Sequence, residues 1–432
     1  MQPSRQSVEV VLSSATLAAI MLLGGLASAA DTYRVIYDFG RKSSDGWDPV
    51  GLLALAKNGD FYGVTESGGT YNLGTVYKLT APRTRGGTWT KTILYDFPGG
   101  NGDRYPSSLV LGGDGNLYGV DYSQTIFELR APTSHDSAWE YAALYTLNGE
   151  SDGAAVQEDL AFDVEGNLYG ATDLGGDTNC GQDGGCGTVF ELKRPTKEGG
   201  KWRFSVLHTF TGSPDGAQPY AGVTFDQNGN LYGTTGGGGI SGNGAVYRLS
   251  PPTSKRRTWT ETVLYSFDRS NNGAYSPGGP LIFDSAGNVF GPTYGGGDPN
   301  CQGGFGCGVA FELSPPPKKG KSWTYAALHA FQGGSDGISP SGSVVFDSEG
   351  NLYGTTQTGG DENGGTVYQL SPPAESGGAW TETVLRAFTG SDGDGDLPES
   401  GLTWGKWSDL YGVTGEGGTE CQACGTAFEL QP

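Results

Sequence analysis

Ser391-Asp-Gly-Asp-Gly-Asp396 places three carboxylates at alternate positions on a Gly-rich stretch. A hard divalent cation takes several oxygens from such a turn, so Asp392, Asp394 and Asp396 are candidate metal ligands and calcium the candidate ion. An EF-hand loop would need Gly and Glu where this chain has Leu397 and Thr403, so a plain Gly–Asp turn is the competing reading. Single Ser-Asp-Gly elements at Asp45, Asp152 and Asp336 read as Asx-type turns. A second group of candidates is aromatic: Trp47, Tyr105, Tyr122, Tyr220 and Tyr275 stand in loops rich in carboxylates such as Asp48, Asp215, Asp298 and Glu399. Aromatic rings stack on the C–H faces of sugars while carboxylates accept their hydroxyls, so these five are candidate ligand-binding residues. His135 falls in a linker, and His208 and His329 occupy a strand slot that holds Tyr37, Tyr95, Tyr145 and Tyr265 elsewhere. That pattern reads as core packing, with no His placed as ligand or general base. No catalytic residue is assigned, because no acid pair stands apart from the repeated background.

The six Cys form local pairs: Cys180 with Cys186, Cys301 with Cys307 and Cys421 with Cys424. In an exported chain they read as disulfides before metal ligands, since a tetrahedral zinc needs four ligands and no His flanks any pair. Export is itself expected. Residues 1–30 carry Arg5, a short apolar core around Leu17–Leu23 and the small residues Ala27-Ser-Ala-Ala30, the signature of a secretory signal peptide. No second apolar stretch of spanning length follows, so no membrane span is expected after cleavage.

The elements that must position these residues follow from composition and repetition. Of 432 residues, 77 are Gly and 23 Pro, which disfavours long helices. Aromatics at 11% argue against disorder. A net charge of −21 opposes binding to nucleic acid or anionic membranes. One phrase then returns seven times: Asp60-Phe-Tyr-Gly63, Asn116-Leu-Tyr-Gly119, Asn167-Leu-Tyr-Gly170, Asn230-Leu-Tyr-Gly233, Asn288-Val-Phe-Gly291, Asn351-Leu-Tyr-Gly354 and Asp409-Leu-Tyr-Gly412. Each is followed by a Gly-rich loop, an apolar strand like Gly187-Thr-Val-Phe-Glu-Leu192, a Pro- and Lys-bearing linker, and a strand like Trp259-Thr-Glu-Thr-Val-Leu-Tyr-Ser-Phe267. A segment such as Gly222-Val-Thr-Phe-Asp226 then leads into the next copy.

Four strands at this period predict an all-β, seven-bladed β-propeller over 31–432 as one domain. The last repeat stops after its third strand at Phe428-Glu-Leu-Gln-Pro432, and Thr32–Phe39 is an orphan strand of the fourth type. The N-terminal strand is therefore expected to close the last blade, removing an open edge.

The run Phe-x-Gly-Ser-Asp-Gly, Gly-x-x-Phe-Asp-x-x-Gly-Asn-Leu-Tyr-Gly-Thr-Thr and Gly-Thr-Val-Tyr-x-Leu, nearly complete at 331–370 and 210–249, resembles the GloVer (Gloeo/Verruco) tandem repeat. The resemblance covers essentially the whole chain after residue 30 and implies an extracellular or surface-displayed bacterial repeat protein. Members often carry C-terminal anchoring signals. This chain ends at a repeat strand, so a released or periplasmic form is expected.

Propeller topology sorts the loops onto two faces. Basic linkers (Lys193, Arg194, Lys197, Lys201, Arg256) fall on one, the acids and extra aromatics on the other. The loop between the second- and third-strand aromatics spans 9 residues in blade 2, from Tyr118 to Phe127, against 15 to 21 elsewhere, which predicts a notch near Tyr122. The functional expectation is a monomeric, secreted, periplasmic or surface-located, non-catalytic propeller that binds glycan or protein through the acidic face. The alternative is a polysaccharide hydrolase or lyase acting from that face.

Overall fold

In a computed structural model, residues 33–432 are described apart from 43, 101–103, 135–136, 157–159, 182–183, 198, 271–272, 319, 376 and 422. The expected leader at 1–30 and His135 lie outside the described residues. Seven antiparallel blades of four strands follow one another. Blade 1 runs Trp47–Leu55, Phe61–Ser67, Thr75–Thr80, Thr90–Asp96, from the inner strand outward. Blade 7 joins Thr403–Trp404, Leu410–Thr414 and Thr426–Leu430 to the N-terminal strand Tyr33–Asp38. That closing strand pairs Tyr33 with Leu430, Arg34 with Glu429 and Val35 with Phe428. The fold and its closure are those the repeats predict.

The recurring Gly of Asn-Leu-Tyr-Gly has a steric cause. Gly63 lies opposite Tyr77 across the ladder, and a Cβ there would sit 2.4 Å from the Tyr77 hydroxyl oxygen. Gly412 stands in the same relation to Phe428, at 2.5 Å. The third-strand aromatic can lie flat over the sheet only because the second strand lacks a side chain at that point. The Asp and Asn of the same motif close the turn between inner and second strands. Asp226 Oδ1 accepts the backbone N–H of Asn228 (2.8 Å) and Asn230 (2.9 Å), and its Oδ2 accepts Asn230 Nδ2 at 2.7 Å. Asp284 and Asp347 repeat this set.

Two features differ from the sequence expectation. Inner strands shrink to two ladder residues in blades 3 to 7, such as Thr224–Phe225. Near the axis neighbouring inner segments crowd one another: a Cβ on Gly342 of blade 6 would lie 2.4 Å from the Gly401 nitrogen of blade 7. In addition, every outer strand bulges opposite its third-strand aromatic, as at Val76/Tyr77 and Val35/Tyr37. A bulge inserts one residue and increases local twist, so the residue two before the closing Phe faces the next blade.

Candidate functional site

The acidic face is the one from which the outer-to-inner and second-to-third connections emerge. At its centre lies a depression of about 150 Å³, walled by inner-strand residues of five blades. Val50, Gly51 and Leu52 come from blade 1, Ser107 and Ser108 from blade 2, Pro280 from blade 5, Ser343 from blade 6 and Ser400 from blade 7. Glu66, Glu399 and Tyr122 edge the opening. The other end of the axis is lined mainly by apolar groups, including Val223, Leu281, Val344, Leu402 and Trp404.

Backbone geometry fixes this rim. Asp48 adopts φ 60° and donates its N–H to the Cys424 carbonyl of blade 7 at 3.1 Å. The residue before the inner-strand Pro does the same in other blades: Tyr105 N–H reaches Leu73 O (2.7 Å), Gln218 reaches Cys186 O (3.0 Å) and Ser339 reaches Cys307 O (2.9 Å). All three also have positive φ, between 53° and 58°. Each bond staples one blade's inner strand to the preceding blade's loop. Three of the accepting carbonyls belong to cysteines of the disulfides Cys180–Cys186, Cys301–Cys307 and Cys421–Cys424.

The rim is electrostatically loaded. Burial pushes the Asp48 carboxyl up, and Glu66, Glu399 and Glu416 push it further, to about 7. Burial likewise raises Glu66, and burial with Glu66 and Glu416 raises Glu399. These four carboxylates come from blades 1 and 7, on the seam closed by the N-terminal strand. Like charges held together in a partly desolvated mouth repel strongly. Ligands carrying hydroxyl donors or positive charge relieve that repulsion, and anionic ligands increase it. A protonated Asp48 beside ionised neighbours also has the form of an acid–base pair.

Of the five aromatic candidates, Tyr122 is exposed and borders the depression. Tyr105 sits behind it, its carbonyl accepting the Tyr122 N–H at 3.1 Å. Trp47 packs over Gly68, Tyr220 over Gly236 and Tyr275 over Gly295, so these three rings lie against blade backbone rather than around the mouth. The depression thus touches the expected notch at Tyr122, but its axis is the propeller axis. Asp392, Asp394 and Asp396 are not gathered within ligand distance of one another. Asp394 turns inward, where Tyr33 Oη donates to Oδ1 (2.7 Å) and Arg386 Nη2 and the Thr389 N–H donate to Oδ2 (2.6 and 2.9 Å). A guanidinium thus stands where an ion bound to Asp394 would need to be.

The comparisons bear on this architecture. The profile of the Gloeobacter/Verrucomicrobia repeat matches residues 25–183, 123–305 and 300–432. The chain belongs to that repeat family. No curated protein matches it. Among solved structures, this Gloeobacter/Verrucomicrobia repeat protein is similar to the WD40 β-propeller domain of Doa1, with TM-score 0.51 and 12% identity over 93% of this chain and 97% of that one. It is also similar to an ulvan lyase, a polysaccharide lyase bound to -[GlcA(1-4)Rha3S]-, with TM-score 0.52 and 11% identity over 92% and 95% of the two chains. PorZ, a bacterial surface component of the type-IX secretion system of Porphyromonas gingivalis, gives TM-score 0.51 and 16% identity over 89% of this chain and 46% of that one. At these identities the likeness is one of fold. Among the described residues, no helix of the repeat protein is long and apolar enough to cross a membrane.

The repeats also hold residues whose grouping the sequence reading missed. His329 Nε2 lies 2.9 Å from Asp336 Oδ1, and Glu382 of the next blade completes a trio whose ligand atoms lie within 4.8 Å of one another. His208 pairs in the same way with Asp215 at 3.2 Å. The available signal was a His seven residues before an Asp in both blades, followed by Glu two residues after the next outer-strand Trp.

Proposed function

We propose that this protein is an exported, non-catalytic binding propeller whose axial acidic mouth takes the end of a neutral or amine-bearing glycan. One observation carries the reading: Glu66, Glu399 and the exposed Tyr122 line a depression at the propeller axis, and Asp48 and Glu416 stand close by, so that burial raises Asp48, Glu66 and Glu399 and neighbouring carboxylates raise Asp48 and Glu399 further. Carboxylates accept sugar hydroxyls or ammonium groups, and Tyr122 offers a stacking face. Uronic or sulfated glycans would add charge of the wrong sign. Three disulfides suit an oxidising, extracytoplasmic location.

The test is a thermal-midpoint titration with neutral, amine-bearing and anionic polysaccharides, because a ligand bound only by the folded state raises the midpoint with concentration. A rise with a neutral or amine-bearing glycan, lost in Tyr122→Ala and Glu66→Gln, is expected. A rise with anionic glycans alone would overturn the charge assignment of the mouth, and a rise with no glycan would overturn the glycan assignment and leave a protein as the ligand. A second reading, a secreted polysaccharide hydrolase or lyase, is favoured by Asp48, whose raised carboxyl beside other carboxylates suits a general acid. Release of reducing ends or of unsaturated product from the glycan that binds, abolished by Asp48→Asn, would establish it.

A further inference from the structure

The seven seams between blades are built on one plan, so they serve as internal controls for one another. At each seam the outer-strand residue two before the closing Phe (Leu147 in blade 2) faces the residue two after the Trp of the next blade; at the last seam Tyr33 of the closing strand takes that place. Three seams stack aromatic rings there: Tyr95 on Tyr141 at 5.2 Å, Tyr145 on Phe204 at 4.2 Å and Tyr265 on Tyr325 at 5.0 Å. Two seams place a cation against a loop Asp. Lys91 pairs with Asp45 at 3.2 Å with its side chain only 2% exposed, and lies over the Tyr37, Phe39 and Tyr77 rings. Arg386 pairs with Asp394 at 2.6 Å and covers the Tyr33 ring.

The two remaining seams keep the loop Asp but put Glu where blade 1 has Lys91. Between blades 5 and 6 this brings together His329, Asp336 and Glu382, and between blades 3 and 4 His208, Asp215 and Glu261. Beneath each lies a third-strand tyrosine, Tyr368 and Tyr247, with 0% and 1% exposure. Among the described residues the hydroxyls of both tyrosines and the Oε1 atoms of both glutamates are buried without a hydrogen-bond partner. Tyr77 is the tyrosine under Lys91, whereas the aromatic-stacked seams have Phe127, Phe190 and Phe311 at that position. The slot that holds an ammonium at the closing seam is therefore rebuilt, with opposite charge, at two others.

We propose that the seam between blades 5 and 6 is a binding site for a divalent transition-metal ion, held by His329 Nε2, Asp336 Oδ1 and the Glu382 carboxylate. One imidazole nitrogen and two carboxylates are a donor set for Zn²⁺ or a neighbouring first-row ion. Ligands about 2.0–2.2 Å from such an ion stand roughly 3–3.5 Å apart, so atoms already within 4.8 Å need only small rotamer changes. The Gln332 N–H donates to Asp336 Oδ2 at 2.6 Å and fixes the orientation of that carboxylate. The Asp and His come from one blade and the Glu from the next, so the ion ties two blades together. The seam between blades 3 and 4 repeats the same three residue types, but there only His208 and Asp215 are in contact, at 3.2 Å, and Glu261 is not gathered with them within ligand distance, so it serves as the control rather than as a second site. Neither seam belongs to the axial mouth, so the assignment does not depend on the glycan reading.

Titration of untagged, metal-stripped protein with Zn²⁺ tests it, by calorimetry and by thermal midpoint. The wild type should bind stoichiometrically, and its midpoint should rise by about 5 °C at a thousandfold excess over Kd. Glu382→Gln keeps the side-chain shape and removes one of two facing negative charges, so its metal-free midpoint should equal or exceed that of the wild type. Its Zn²⁺ stoichiometry should fall by one, whereas Glu261→Gln, at the seam that lacks the gathered trio, should bind Zn²⁺ as the wild type does. Tyr325→Phe, at an aromatic seam, should leave Zn²⁺ binding intact. Absence of any Zn²⁺-dependent heat or shift in the wild type, or unchanged stoichiometry in Glu382→Gln, would overturn the assignment.

Discussion

Asp48 is held in a conformation and a field that both disfavour an ordinary aspartate. Its φ of 60° suits Asn or Gly, and burial with Glu66, Glu399 and Glu416 lifts its carboxyl to about 7 from 3.8. An acid whose pKa is raised on folding contributes stability that is present below its unfolded value and lost as pH rises through the folded one. The mouth should therefore weaken the protein between about pH 4 and pH 7. Asp48→Asn keeps the left-handed backbone and removes the charge. Its thermal midpoint should match the wild type at pH 4 and exceed it progressively up to pH 7, as scanning calorimetry across that range can read. A constant gap would mean that the charge plays no part. Nothing in the sequence around Asp48 announces this, because Glu399 and Glu416 lie some 350 residues further along and meet it only through ring closure. The sequence does place Asp48 and Glu399 on the right face, but loop membership alone does not separate the rim from solvated acids further out.

Strands and turns were legible because each blade repeats the same local physics. The Asn-Leu-Tyr-Gly phrase marks a strand whose Gly admits a crossing aromatic and whose Asn locks the preceding Asp turn, and both causes lie within about 30 residues of sequence. The seams were not legible. His329 and His208 matched a slot that is tyrosine elsewhere, which suggested packing, while the Glu that changes the chemistry sits one blade away. The disulfides belong to this middle scale. Each spans a small ring, worth about 2 kcal/mol by the loop-entropy model, and Cys186, Cys307 and Cys424 offer the carbonyls that the next blade's inner strand binds. For a domain of this size, that corresponds to roughly 2–3 °C per bridge. Reduction should lower the midpoint by about that amount per bond and leave one cooperative transition. Loss of more than about 15 °C, or a second transition, would show that the bridges hold blades rather than loops.

At the scale of the whole molecule, closure decides whether the blades act as one body. The strand Tyr33–Asp38 carries three kinds of contact, two to the last blade and one to the blade before it. Val35 and Tyr33 ladder with Phe428 and Leu430, Arg34 pairs with Glu429, and Tyr33 caps Asp394 beside Arg386 while its ring meets Phe388 edge-on at 5.8 Å. The segment that follows it supplies Phe39, whose ring meets Tyr77 of blade 1 at 5.1 Å, and Asp45, the partner of Lys91. Deletion through Phe39 strips the edge of Thr426–Leu430, exposes Phe388 and Phe428, and leaves Lys91 less well enclosed in blade 1. A bare, apolar edge strand invites pairing with another chain, so the truncated protein should aggregate or self-associate rather than unfold as a monomer. Moving residues 33–40 behind Pro432 through a short Gly/Ser linker restores the same ladder with the last blade made from contiguous chain. Light scattering and calorimetry should then show a monomer with a midpoint within a few degrees of the wild type. Should the truncated chain instead remain monomeric with an unchanged midpoint, the ring is held by its other six seams, and the N-terminal strand is an accessory rather than the clasp.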